Sequence, residues 1–173
     1  MHMLHLLRHA KSSWKGDIED HQRQLSKRGR ETATVIGQHL PGAIGTVDLV
    51  LCSSAARTRE TLELALARFR PQPRCLVEDG LYLADCSKLI ERLKLLDDNS
   101  GNVLLIGHNP GLRELSAALA EPHSPWFSSI ANGKFPTLAR ASFQIDTRWS
   151  GISDTKHRLV DYATPASLSG DGN

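Results

Sequence analysis

Asn102-Val103-Leu104-Leu105-Ile106-Gly107-His108-Asn109-Pro110-Gly111 is the stretch that decides the fold. Its first half is apolar on consecutive residues, so a strand built from Asn102–Ile106 offers hydrophobic side chains to both faces of a sheet. A strand with one wet face would alternate, and this pattern instead marks a central parallel strand covered on both sides. The second half changes character at once. Gly107, Asn109, Pro110 and Gly111 are turn formers, and proline suits the first position of a helix. Asn109 is therefore expected to cap a helix that starts at Pro110.

The pattern repeats outward from there. Strand-like apolar runs occur at Met3–Leu7, Asp48–Cys52 and Cys75–Glu78. Between them, Ala33, Ile36, Gly37 and Leu40 follow helical spacing, as do Leu62, Ala65, Leu66 and Phe69. The sets Cys86, Leu89, Ile90, Leu93 and Leu112, Leu115, Ser116, Leu119 continue it. Ser26 is placed to cap the first helix, and Ser53 or Ser54 the second. Strands alternating with helices predict an α/β fold, a three-layer sandwich whose central sheet is mostly parallel. Ala139–Ile145 and Arg158–Ala163 read as further strands at an edge. Two connections are long: polar Ala10–Leu25, carrying Trp14, and Glu121–Thr137, carrying three prolines.

With 173 residues the chain has room for one domain, expected over residues 1–163, followed by a small polar tail over 164–173 that should fray. Twenty-one Lys and Arg against 19 Asp and Glu leave a charge of +2, too little for an electrostatic nucleic-acid binder. Three cysteines without a Cys-x-x-Cys spacing argue against a disulfide framework or a cysteine zinc site. The start lacks the basic region of a signal peptide, and no apolar run suits a membrane span. A cytoplasmic protein is expected.

In an open parallel sheet, ligands bind beyond the carboxyl ends of the strands. Those ends carry Arg8-His9, then Ser53-Ser54-Ala55-Ala56-Arg57, then Glu78-Asp79, then Gly107-His108-Asn109. Taken singly each group has a bland reading: surface decoration, a capped turn, a solvated helix face or the end of a strand. Together they are chemically complementary. Guanidinium forks match the oxygens of a phosphoryl group, one imidazole can attack phosphorus and a second can hydrogen-bond the developing charge. A carboxyl group can protonate the leaving group and afterwards activate water. Phosphoryl transfer through a covalent histidine follows, without need of a metal or other cofactor.

These residues resemble the histidine phosphatase superfamily, also called phosphoglycerate mutase-like. Arg8-His9-Ala10 stands where that family has Arg-His-Gly, Cys52–Thr61 matches its second arginine motif, and Gly107-His108-Asn109 its second histidine. The SixA-type phosphohistidine phosphatase branch matches further, through Lys11-Ser12-Ser13-Trp14, Asp20 with Arg23-Gln24-Leu25, Arg28-Gly29 and Pro110-Gly111. That branch usually has proline where Gln24 stands. The likeness implies the mutase-like fold, His9 as nucleophile, and Arg8, Arg57 and His108 around the phosphate. Arg23, Ser53 and Asn109 join as substrate or phosphate contacts. In the mutase branch a glutamate precedes a tyrosine by three residues, and Asp79 stands three before Tyr82. Asp79 is thus the expected proton donor, with Glu78, Asp85 and Asp20 as rivals.

Neither Tyr82–Ser87 nor Ala10–Ser26 has room for a lid over the pocket. The expected substrate is therefore phosphohistidine on a signalling or carrier protein, and the expected pocket ligand is phosphate, sulfate or a similar anion. The alternatives are a small-molecule phosphomonoesterase of the same family or a non-catalytic phosphoprotein binder. A metal-dependent hydrolase ranks lower, because no closely spaced ligand motif occurs. His2, His21, His39, His123 and His157 are expected at the surface, His5 outward or packed in the first strand, and the three tryptophans as packing or loop anchors.

Overall fold

The computed structural model describes residues 1–169, and six strands among them form one sheet. These are β1 (His2–Arg8), β2 (Leu49–Ser53), β3 (Arg74–Glu78), β4 (Asn102–Gly107), β5 (Arg140–Ile145) and β6 (Arg158–Ala163). The helices are α1 (Lys27–Ile44), α2 (Ala56–Leu66), α3 (Cys86–Lys94), α4 (Gly111–Leu119), α5 (Phe127–Ala131) and α6 (Pro165–Leu168). The strand order is β3-β2-β4-β1-β5-β6. The first four strands of that order run parallel, while β5 is antiparallel to both β1 and β6.

The unbroken apolar run of β4 is explained by two cores. Val103 and Leu105 join Leu4, Leu6, Leu49 and Leu51 on one face, under Leu89, Leu93, Leu112, Leu115 and Ile130 of α3, α4 and α5. Leu104 and Ile106 join Leu7, Val50 and Cys52 on the other, under Ala33, Ile36, Leu40 and Ala65 of α1 and α2. Burying one such leucine contributes about 2 kcal/mol, so helices on both faces are required to hold this sheet. The result is a three-layer α/β sandwich.

The crossovers position the site. From β1 the chain leaves through α1 to one face, and from neighbouring β4 it leaves through α4 to the other. Adjacent parallel strands whose exits diverge open a crevice at their carboxyl ends. Register aligns those ends, with Arg8 opposite Gly107 and Cys52 opposite Ile106. The segment after His9 is clamped from below. Ser26 caps α1 through Gly29 N–H at 3.0 Å, and its own N–H donates to Lys11 O at 2.9 Å. Gly29 has no alternative here, since a Cβ would stand 2.0 Å from Lys11 O.

Some expectations give way. Neither Ser53 nor Ser54 caps α2, whose N-cap is Ala55, because both hydroxyls are taken by imidazoles. Asn109 does not cap α4 either; its amide donates to Phe135 O at 2.7 Å and holds the 132–139 segment instead. The proline-rich connection contains α5, which buries Ile130. His2 and His157 are buried rather than exposed, each ring held by backbone carbonyl oxygens. The expected tail starts with a helical turn capped by Thr164; residues 170–173 lie outside the described residues. No described helix is long and apolar enough to cross a membrane.

Candidate active site

At the β1–β4 crevice lies a cavity of about 400 Å³. Arg8, His9, Lys11, Ser12, Trp14, Asp20, Arg23, Arg57, Leu83, His108, Asn109 and Thr137 line it. Four cations thus face one carboxylate.

His9 is buried at 6% exposure, and its Nδ1 lies 2.7 Å from Ala10 O. A carbonyl can only accept, so Nδ1 carries the hydrogen and Nε2 keeps its lone pair. Burial, reinforced by Arg8, Arg57 and Arg23 against the Ala10 bond, pushes the His9 pKa down to about 4. The imidazole is therefore neutral at pH 7, the form that can attack phosphorus.

His108 packs against it, with ring centroids 5.3 Å apart. Its Nε2 is 2.7 Å from Ser53 Oγ. Among the described residues, Nε2 is the one acceptor the Ser53 hydroxyl reaches, since Ala55 N–H is a donor to it at 3.4 Å, so the Ser53 proton goes to Nε2. Nδ1 then bears the ring hydrogen. It is buried without a partner, as are Arg8 Nε and Arg57 Nε. A buried donor left unpaired costs roughly 1–3 kcal/mol. Three of them on residues lining one cavity suit an oxyanion with several oxygens.

Asp20 binds Arg57 Nη2 and Arg23 Nε, each at 3.1 Å, and accepts from the Tyr82 hydroxyl. The Tyr82 bond first, then the two guanidiniums, hold its carboxyl down at about 2. Burial and the Asp20 charge push the Tyr82 hydroxyl up, so it keeps its proton. Arg57 also donates to Asp20 O at 2.7 Å. Arg23 reaches Ser12 Oγ at 2.8 Å and lies 3.4 Å over the exposed Trp14 ring.

The structure thus brings Arg8, His9, Arg23, Arg57, His108 and Asn109 to one cavity, with Ser53 behind His108. It does not bring Asp79. That residue opens a 3₁₀ turn, Asp79–Leu81, and is not among the cavity's lining residues. The chain after β3 reaches the cavity only beyond that turn, through Tyr82 and Leu83. Glu78 is held by Arg92 at 2.8 Å, and Asp85 caps α3 through Lys88 N–H at 2.9 Å. Of the four acids, only Asp20 lines the cavity. Tyr82, not expected at the site, is placed there by the structure; its ring stands edge-on to His108 at 5.7 Å. The sequence marked it only through its spacing, three residues after Asp79. Among the described residues, no three His, Cys, Asp or Glu side chains gather to hold a metal ion.

Burial also lowers His5 to about 4 and His108 to about 3. Unfolded histidines take up protons near pH 6.5, whereas these three resist until far lower. Between those limits the unfolded chain binds more protons, so stability falls as pH falls. Urea denaturation should show stability on a plateau above pH 7 and declining from about 6.5 towards 4. The slope should reach roughly 4 kcal/mol per pH unit for three histidines acting together. A flat profile between pH 7 and 5 would refute the neutral, buried state of these rings.

Residues 4–82 match the family model described as histidine phosphatase superfamily, branch 1. An uncharacterised protein of Mycobacterium tuberculosis is 32% identical over 166 residues, spanning 92% of this chain and 99% of that protein. One from Mycobacterium leprae is 30% identical over 165 residues, with 92% and 99% covered. A chain from Nakamurella multipartitia, assigned as a phosphohistidine phosphatase SixA, superposes with a TM-score of 0.82 at 26% identity, over 95% of this chain and 96% of that one. The protein histidine phosphatase SixA in complex with tungstate shares the fold, with a TM-score of 0.77 at 22% identity over 96% and 99% of the two chains.

Proposed function

This chain belongs to the histidine phosphatase superfamily, and from that premise we propose that it is a phosphatase working through a phosphohistidine at His9. We infer further that its substrate is phosphohistidine on a signalling or carrier protein. One observation carries the reading: a neutral imidazole with a free Nε2 shares a cavity with residues bearing three buried, unpaired donors.

The reaction balances as two displacements. His9 Nε2 attacks phosphorus and forms a P–N bond as the bond to the substrate's imidazole nitrogen breaks. The departing pair stays on that nitrogen, which takes a proton from solvent water. Arg8, Arg57 and His108 Nδ1–H hold the equatorial oxygens as charge builds on them. Water then attacks phosphorus, the P–Nε2 bond breaks, and inorganic phosphate leaves with His9 restored. The water's proton needs an acceptor, and the Asp20 carboxylate beside Tyr82 is the one lining the cavity. An imidazole leaves more readily than an alkoxide, so an ionised Asp20 is a lesser handicap for N–P cleavage than for ester cleavage.

A phosphohistidine protein and a panel of small phosphoesters, assayed with and without chelator, test the substrate. Phosphohistidine should be preferred by more than about 100-fold in kcat/KM, unchanged by chelation. Strong turnover of one small ester, or loss of activity in chelator, would overturn the reading. The acid is tested separately. Asp20→Asn should lower kcat by about 10²–10³, as for loss of a general base, while Asp79→Asn stays within about twofold. The reverse ranking would restore Asp79.

A further inference from the structure

Beside the catalytic cavity, and sharing Arg8, Lys11, Asn109 and Thr137 with it, lies an open trough of about 520 Å³. Arg113 and Lys134 join its lining, and no acidic residue does. We propose that this trough is a subsite for an acidic polypeptide segment flanking the phosphorylated histidine, with Arg113 and Lys134 as its specificity contacts. The proposal rests on the phosphohistidine-protein reading above and names where that protein is gripped.

The charge here is not a by-product of a basic chain, whose net charge is only +2. What sets the trough apart is that four cations, Arg8, Lys11, Arg113 and Lys134, line it with no carboxylate among them, whereas other cations, such as Arg92 with Glu78, Arg30 with Glu60 and Arg140 with Asp161, sit in ion pairs. Lys11, Arg113 and Lys134 have no such partner among the described residues. Among the described residues, the Arg113 side chain makes one hydrogen bond, a long one to Ala131 O at 3.5 Å. Their positions are nonetheless built. Arg8 and Asn109 both donate to Phe135 O, and the Tyr162 hydroxyl donates to Lys134 O at 3.1 Å. The segment bearing Lys134 is thereby tied to the catalytic arginine.

Two features favour a polypeptide over a small molecule with a second phosphate. Lys11 and Lys134 are exposed, solvated point charges on flexible stems, suited to a spread of carboxylates rather than one rigid group. The second feature is Asn109. Its Nδ2 is committed to Phe135 O, which leaves Oδ1 as a buried acceptor without a partner, on a residue lining both cavities. A phosphate offers mainly acceptors to that oxygen. A peptide crossing from cavity to trough offers backbone N–H groups.

Phosphohistidine peptides with acidic and with neutral flanks provide the test, assayed on the wild type, on Arg113→Glu/Lys134→Glu, and on Lys88→Glu as a charge control on α3. The wild type and the control should prefer the acidic flank by about tenfold, through KM, and less so at high salt. The double variant should lose that preference while its turnover of the neutral peptide and its melting temperature hold. Equal turnover of both peptides by the wild type, or equal losses on both in the double variant, would overturn the subsite. If no phosphohistidine peptide is turned over, the functional reading fails, and the subsite is read by inhibition of p-nitrophenyl phosphate hydrolysis with unphosphorylated peptides. Inhibition by the acidic peptide alone, lost in the double variant, would uphold it. Absence of inhibition, or inhibition by a small bisphosphate but not the peptide, would overturn it.

Discussion

Replacing His9 with alanine is expected to lower phosphoryl turnover by at least about 10⁴-fold and to abolish a covalent phosphoenzyme. That factor corresponds to about 5.5 kcal/mol of lost transition-state stabilisation. No neighbour can substitute. His108 packs beside it, but its Nε2 lone pair is engaged by the Ser53 hydroxyl and its Nδ1 bears the hydrogen, so neither nitrogen is free to attack phosphorus. Radiolabelled substrate quenched in acid and in base reads the result. The wild type should yield an acid-labile, base-stable adduct that maps to His9, and the variant none. Because Ala10 O loses its donor, a modest drop in melting temperature is expected as well, of the size of one hydrogen bond, about 1 kcal/mol. A variant that keeps full activity would move the chemistry to another residue.

Arg57→Ala is expected to cost about 10³-fold in kcat/KM and to erase stabilisation by tetrahedral oxyanions. Its guanidinium is 2% exposed and braced by Asp20, while Nε points to no protein acceptor. Removing one preorganised donor from a developing oxyanion costs about 10²–10³, and here a buried charge goes with it. Arg57→Lys should not recover the loss, since an ammonium cannot make the bidentate fork. Tungstate or phosphate should raise the melting temperature of the wild type and leave that of Arg57→Ala unmoved. An undiminished shift in the variant would show that the anion sits elsewhere.

Much of the site was legible because its residues are tied to strand ends. Arg8-His9 and His108 follow apolar runs whose boundaries are sharp, and the ends of parallel strands share one edge of a sheet. A strand end places its next residue within a few ångströms, whatever the loop beyond it does. Asp79, the acid expected there, does not line the cavity. It too follows a strand, but it opens the 3₁₀ turn Asp79–Leu81, and the chain meets the cavity only after that turn, at Tyr82 and Leu83. The caps expected from Ser53 or Ser54 and from Asn109 do not form because a capping side chain is also a general hydrogen-bond partner. Once His108 and Phe135 O are packed beside them, those groups compete with the helix termini and win.

Local sequence, then, determined the elements, the two-faced apolar strands and the chemical types collected at one edge, since periodicity and turn chemistry act over a few residues. Tertiary structure alone decided which acid reaches the cavity, which tautomer each imidazole holds and which cations are left unpaired. Those outcomes depend on contacts such as Asp20 with Arg57 and Tyr82, or Ser53 with His108, between residues 37, 62 and 55 positions apart. Only the packed sheet brings such groups within hydrogen-bonding range, where burial and competing partners settle the protons.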